Sequence, residues 1–227
     1  VIGIICTIIV ACAFVACDET GGEWNPYHNW KERNAQWYEQ VADTARQAIA
    51  QAKARYGAAW EDYCDWRMYK TLTKSQDYNS GKLTDSICVK IAKRGEGSIT
   101  PHFSDTVRLS FRGWLMNTQF DDGAGKLYDE MRIFTQTYYG DYDPATASPS
   151  TSSVSAMISG FQTALQYMVE GDEWFVYLPQ ELAYGKKAES EIPAYSTLLF
   201  RINMVGVYRA GTGVPAWKVS PRSTVPL

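Results

Sequence analysis

The sequence predicts an α+β fold, an antiparallel sheet preceded by a helical amino-terminal segment. Three observations carry this expectation. Trp30, Trp37, Val41, Ala45, Ala48 and Ala52 fall on one stripe of helical period. Residues 86–93, 107–112, 174–178 and 198–204 alternate with the period of two that marks strands. Among those strands, Ile158, Phe161, Leu165 and Met168 recur at spacings of three and four, a short apolar helix.

The chain has 227 residues, enough for one domain with an accessory segment or for two small domains. A hydrophobic fraction of 45% and an aromatic fraction of 14% fit a folded globular protein. The net charge of −3 gives no general electrostatic case for nucleic-acid binding. His28 and His102 stand far apart with no paired ligand pattern, so no metal site is expected. Asp141 and Asp143 alone are too few carboxylates for a cation site. The sequence has no Walker loop, dinucleotide fingerprint or G-x-S-x-G elbow, and no cofactor is expected.

Residues 1–16 are uncharged and shorter than the roughly 20 residues that span a bilayer. They suit a truncated signal peptide. Phe14-Val15-Ala16-Cys17 resembles the bacterial lipoprotein cleavage box, with Phe where that pattern has Leu. Ile9-Val10-Ala11-Cys12 competes, but the polar run DETGGE begins directly after Cys17. The expectation is lipidation at Cys17, with 17–28 as a tether to a membrane of a bacterial cell envelope, periplasmic or surface-exposed. An ordinary secreted protein with a chance Cys is the alternative. Cys64 and Cys88 form either a disulfide or two separate buried thiols.

Residues 29–84 read as a helical segment and connector. A helix from about 30 to 56 starts at a capping box, Asn29 with Glu32, and stops at Gly57 after Lys53 and Arg55. Trp60, Tyr63, Trp66 and Tyr69 continue the aromatic content before a polar connector. The helix packs on its own domain or acts as a spacer; the alternative is a homodimer through it.

Ser86–Lys93 reads as the first strand, and Val107, Leu109 and Phe111 form the buried face of the next, with Arg108, Ser110 and Arg112 wet. Tyr128-Asp129 follow a Gly-rich loop, and Ile133-Phe134 continue as strand. Residues 135–153 form a Ser/Thr-rich insertion, either a flap over a site or a passive surface loop. Glu170-Gly171-Asp172 ends the short helix, Trp174, Val176 and Leu178 alternate, and 197–208 is the closing strand. Residues 211–227 read as a flexible tail.

Five motifs follow one another between 157 and 200: Met-Ile-Ser-Gly-Phe (157–161), Tyr-Met-Val-Glu-Gly-Asp (167–172), Ala-Tyr-Gly (183–185), Ile-Pro-Ala (192–194) and Leu-Leu-Phe (198–200). In this order and spacing they resemble the carboxy-terminal half of FKBP-type peptidyl-prolyl cis-trans isomerases, the macrolide-binding immunophilins. The resemblance covers roughly 86–208. It implies a twisted antiparallel sheet wrapped around the short helix, and makes 85–210 the isomerase domain. It implies catalysis of X–Pro rotation in polypeptides, assisting folding, with macrolides as inhibitors. A chaperone-like peptide-binding module with weak isomerase activity is the alternative function.

By the same resemblance Tyr184, Asp129, Phe161 and Ile158 are the catalytic positions. Phe111, Tyr128, Met157, Ile192 and Phe200 are the substrate-binding ones. Phe161 stands where the family has a Trp floor, and Phe111 where it has a Tyr that bonds the Asp. Ala194 replaces a second Pro. The chemistry needs no nucleophile or metal. The barrier to imide rotation is about 18–20 kcal/mol from amide resonance. An apolar pocket disfavours the charge-separated form, and a few donors that bind the twisted state more tightly lower the barrier.

Overall fold

The computed structural model describes residues 25–77, 80–121 and 127–217, apart from the side chains of 119–121 and 127–129. The expected signal peptide at 1–16 and the expected lipidation site Cys17 lie outside the described residues. Helix α1 (Trp30–Tyr56), the single turn α2 (Trp60–Tyr63) and strand β1 (Trp66–Lys70) come first. Then follow β2 (Ser86–Lys93), β3 (Thr106–Leu115), the hairpin of β4 (Thr118–Asp121) and β5 (Leu127–Glu130), β6 (Ile133–Gln136) and β7 (Ser150–Ser153). Helix α3 (Ser159–Leu165) leads to β8 (Glu173–Leu178) and β9 (Leu198–Tyr208). The main sheet runs β1-β2-β8-β9-β3-β6, with β7 also on β3, and its pairs are antiparallel.

Helix α3 fills one face of the sheet. Phe161, Ala164, Leu165 and Met168 pack with Ile87 and Val89 of β2, Val176 and Leu178 of β8, and Ile202 and Met204 of β9. Burial of these side chains is worth roughly 1.5–3 kcal/mol each for the large ones. Helix α1 covers the opposite face, where Tyr38, Ala42 and Ala45 enclose Cys88 beside Trp66, Met68 and Tyr177. The helix therefore packs on its own sheet. Cys64 and Cys88 are buried free thiols.

The buried stripe of α1 is Trp30, Asn34, Tyr38, Ala42, Ala45 and Ala52. Trp37, Val41 and Ala48, expected on that stripe, are half-buried. Polar groups occupy the buried line because each finds a partner. Asn34 Nδ2 donates to the Trp30 carbonyl at 2.7 Å, and Asn34 Oδ1 accepts the Thr197 N–H at 2.8 Å. The Tyr38 hydroxyl donates to the Ser86 carbonyl at 2.5 Å. The expected capping box is absent: Asn29 sits at φ 48° and its side chain makes no cap bond. Arg33 fixes the helix entry instead, donating to the carbonyls of Pro26 and Asn117 at 3.2 and 2.9 Å. Gly57, at φ 57°, ends the helix as expected.

Three further expectations change. The aromatic run after α1 contains a strand, β1, in register with β2 from Trp66↔Lys90 to Lys70↔Ser86. Its Tyr69 stacks on Tyr167 at 4.0 Å on the α3 face. The outer face of β3 is not wet, since Arg108 and Ser110 are buried. Arg112 donates to the carbonyls of Tyr138 and Gly140 at 3.0 and 2.8 Å, which lays the insertion over that face. Residues 211–217 are held rather than loose. The Arg108 guanidinium lies 5.3 Å from the Tyr208 ring and 5.4 Å from the Trp217 ring, and donates to the Pro215 carbonyl.

Candidate active site

The site grows from α3 meeting the sheet. Gly160 allows the approach, since a Cβ there would lie 2.7 Å from Leu178 Cδ2 and 3.0 Å from the Leu182 carbonyl oxygen. The next residue, Phe161, is thereby set against the strands. Its ring meets Phe111 of β3 at 6.0 Å and 78°, and Phe200 of β9 at 4.9 Å and 89°. Phe134 of β6 meets Phe200 in turn at 5.5 Å and 87°. Edge-to-face contacts place the positive edge of one ring on the negative face of the next. The four rings wall a cavity of about 500 Å³, completed by Met157, Ile158, Tyr184 and Ile192.

Two donors at this cavity are uncommitted among the described residues. Ile158 precedes α3 at φ −62° and ψ 150°. Its carbonyl accepts the Gln162 N–H at 2.9 Å, while its own N–H has no partner. The Tyr184 side chain is 37% exposed and its hydroxyl makes no hydrogen bond. Burial, and after it the Glu189 carboxylate, pushes its pKa up, so the phenol stays a donor. Tyr184 is held by a turn in which the Gly185 N–H, at φ 66°, reaches the Gln180 carbonyl at 2.9 Å.

The rim near Ile192 is polar. Glu189 and Ile192 exchange backbone bonds at 2.9 and 2.8 Å, which turns the buried Ile192 inward. Glu191 pairs with Arg132 at 3.1 Å, and Arg132 donates to the Tyr27 hydroxyl at 2.9 Å. The amino-terminal segment thus reaches the cavity rim.

Seven of the nine sequence-derived positions line this one cavity: Phe111, Met157, Ile158, Phe161, Tyr184, Ile192 and Phe200. Tyr128 and Asp129 pair through the backbone with Phe120 and Gln119, and their side chains lie outside the described residues. Phe134 and Thr135 line the cavity as well and were missed. Their signal was the β-forming run Ile133-Phe134-Thr135, which leads into the insertion at its last residue. Of the insertion, Thr135 lines the cavity, whereas Tyr138 stacks under Arg112 on the opposite face of the sheet. That placement favours a surface covering over a flap.

Fold and cavity together define an α+β domain with a cavity walled by four aromatic rings. Residues 97–205 match the family model of the FKBP-type peptidyl-prolyl cis-trans isomerases. The chain is 28% identical over 168 residues to the FKBP-type 22 kDa peptidyl-prolyl cis-trans isomerase of Escherichia coli, covering 73% of this chain and 66% of that protein. It is 33% identical over 132 residues to the outer membrane protein MIP of Legionella longbeachae, covering 56% and 47%. It is 27% identical over 147 residues to the macrophage infectivity potentiator of Trypanosoma cruzi, covering 64% and 65%. The chain thus spans about half to two-thirds of the length of these relatives. Among solved structures, FkpA from Escherichia coli is similar at 20% identity and a TM-score of 0.42, covering 81% of this chain and 71% of that one.

Proposed function

We propose that this protein is a peptidyl-prolyl cis-trans isomerase that rotates X–Pro bonds in extracytoplasmic polypeptides and so assists their folding. The observation that carries it is the four-ring box with two free donors at its edge, Tyr184 and the Ile158 N–H. The prolyl ring enters the box, and the apolar walls strip water from the imide. Loss of that water disfavours the charge-separated resonance form and softens the C–N bond. Tyr184 and the Ile158 N–H bind carbonyls flanking the bond in its twisted state. Only contacts stronger in that state than in either planar one raise the rate. A millionfold gain corresponds to about 8 kcal/mol of such differential binding. An apolar macrolide of similar shape competes for the same box.

The envelope placement belongs to this proposal. Cys17, lipidated, tethers the domain to a membrane; the Legionella longbeachae relative carries the description outer membrane protein. Among the described residues no helix is long and apolar enough to cross a membrane. The packing of α1 on its own sheet supports a self-contained unit over a homodimer through that stripe. The deciding experiment is a protease-coupled isomerisation assay on a proline tetrapeptide, with and without a macrolide. Acceleration that the macrolide abolishes is the expected result. No acceleration, with retained suppression of client aggregation, would move the function to a peptide-binding chaperone.

A further inference from the structure

A larger cavity, about 610 Å³, lies between the carboxy-terminal half of α1, the α2 turn and β1, and shares no lining residue with the aromatic box. Five cations line it: Arg46 and Lys53 from α1, Arg67 and Lys70 from β1, and Lys82 before β2. Glu61 is the only carboxylate among its described lining residues. In a chain of net charge −3 this is a local reversal of sign.

Two of these cations are buried. Arg67 and Lys70 are each 4% exposed. Arg67 donates to the carbonyls of Cys64, Trp66 and Glu61 at 2.7, 2.8 and 2.6 Å. Lys70 donates to the carbonyls of Asp77 and Ser80 at 2.7 Å each. All those acceptors are neutral. Among the described residues neither cation has a carboxylate within salt-bridge distance; Asp85 lies near Lys70 but is paired with Lys74, and Arg67 has no such neighbour in the cavity lining except Glu61. Desolvating an ion costs several kcal/mol, and an opposite charge beside it is the usual compensation. Arg46 has such a partner, Asp43 at 2.7 Å, where both are half exposed. Lys53 has none there; its ammonium lies 4.9 Å from the Trp60 ring, which also carries Arg67 at 4.7 Å. Both cations gain a contact with the negative face of that ring, which does not neutralise their charge. Ile49, Met68 and Leu83 supply apolar wall beside the charges. The volume falls within the roughly 300–1,000 Å³ of small-molecule sites.

We propose that this cavity binds a small organic anion, a carboxylate or phosphate carried on an aromatic body. The charge seats against Arg67, Lys53 and Lys82, and the body against Trp60. The site lies outside the isomerase cavity and does not depend on isomerase activity.

The test uses the full chain in titration calorimetry with naphthoate and with its neutral counterpart, naphthalenemethanol. Naphthoate is expected to bind about tenfold or more tightly, and to weaken as salt rises. The exposed-charge variant Lys53→Glu/Lys82→Glu should lose about tenfold in naphthoate affinity and nothing for the neutral probe. Turnover of an X–Pro peptide should stay unchanged in it. Circular dichroism checks its fold, and Lys53→Gln/Lys82→Gln repeats the test with a milder change. Equal affinity for the two probes, no naphthoate binding at about 1 mM, displacement by a prolyl peptide, or undiminished binding to folded charge variants would overturn the proposal.

Discussion

The Phe161 ring stands edge-on to the Phe200 ring, centroids 4.9 Å apart and planes at 89°. This contact joins α3 to β9 and forms the floor of the aromatic cavity, so it serves packing and, under the proposed function, binding as well. Phe161→Leu keeps an apolar floor but removes the ring. Loss of ring geometry is expected to lower kcat/KM by about tenfold, since aromatic pairs contribute about 0.5–1.5 kcal/mol beyond burial. Stability should fall by about 1–2 kcal/mol in denaturant unfolding, a modest large-to-small change.

Tyr184 offers an uncommitted hydroxyl at the cavity edge. Tyr184→Phe should reduce peptide isomerisation about two- to tenfold, the value of one neutral hydrogen bond. Its pKa is raised, first by burial and then by Glu189. The proton is therefore retained above the ordinary tyrosine value of about 10. Activity should stay level through neutral and mildly alkaline pH, falling only above that value. The alkaline fall should be missing in Tyr184→Phe.

Asn34 ties α1 to the segment that carries Ile192, through the Thr197 N–H at 2.8 Å and the Thr197 hydroxyl at 3.2 Å. Asn34→Ala strands a buried N–H and should cost about 1–3 kcal/mol by urea unfolding. Because Ile192 lines the cavity, KM should rise more than kcat falls.

Asp105 accepts N–H bonds from His102 at 2.8 Å, Ala210 at 3.0 Å and Arg209 at 2.6 Å. Burial pushes its pKa up, but these bonds together hold it below the ordinary value. A carboxylate with a depressed pKa in the folded state stabilises fully above the unfolded value, about 3.9. That contribution disappears as pH falls through the lower folded value. Acid unfolding should therefore begin at a higher pH in Asp105→Asn, with about 1.5–3 kcal/mol less stability at neutral pH.

Cys64 and Cys88 are buried thiols, and burial pushes Cys88 up to about 11. Thiolate is the reactive form. Peptide mapping after brief alkylation at neutral pH should find both residues unmodified in the native protein and both modified in urea. A disulfide between them in the native protein would contradict the free-thiol arrangement.

Periodicity made the core strands and α3 legible, because apolar residues at two- and 3.6-residue spacing have few ways to be buried together. Trp174, Val176 and Leu178 lie buried on β8 as that spacing requires. The shift of the α1 stripe was hidden because Asn34 and Tyr38 count as polar until their partners Thr197 and Ser86 are known. Those partners are far away in sequence. Arg108 and Ser110 looked wet for the same reason: what covers them comes from the insertion and from 211–217. Phe134 escaped notice because its role depends on β6 lying beside β3, a pairing fixed by register rather than by local sequence.

Gly113, in the middle of β3, has no room for a side chain. A Cβ would stand 2.7 Å from Phe134 Cζ and 2.8 Å from Phe200 Cε1. Glycine is among the poorest strand formers, so its presence here sets local backbone preference against the closure of two rings. Position 113 is in effect a size gate for mutation: even the smallest replacement, alanine, would prise Phe134 away from Phe200 and open a gap in the wall that keeps water out.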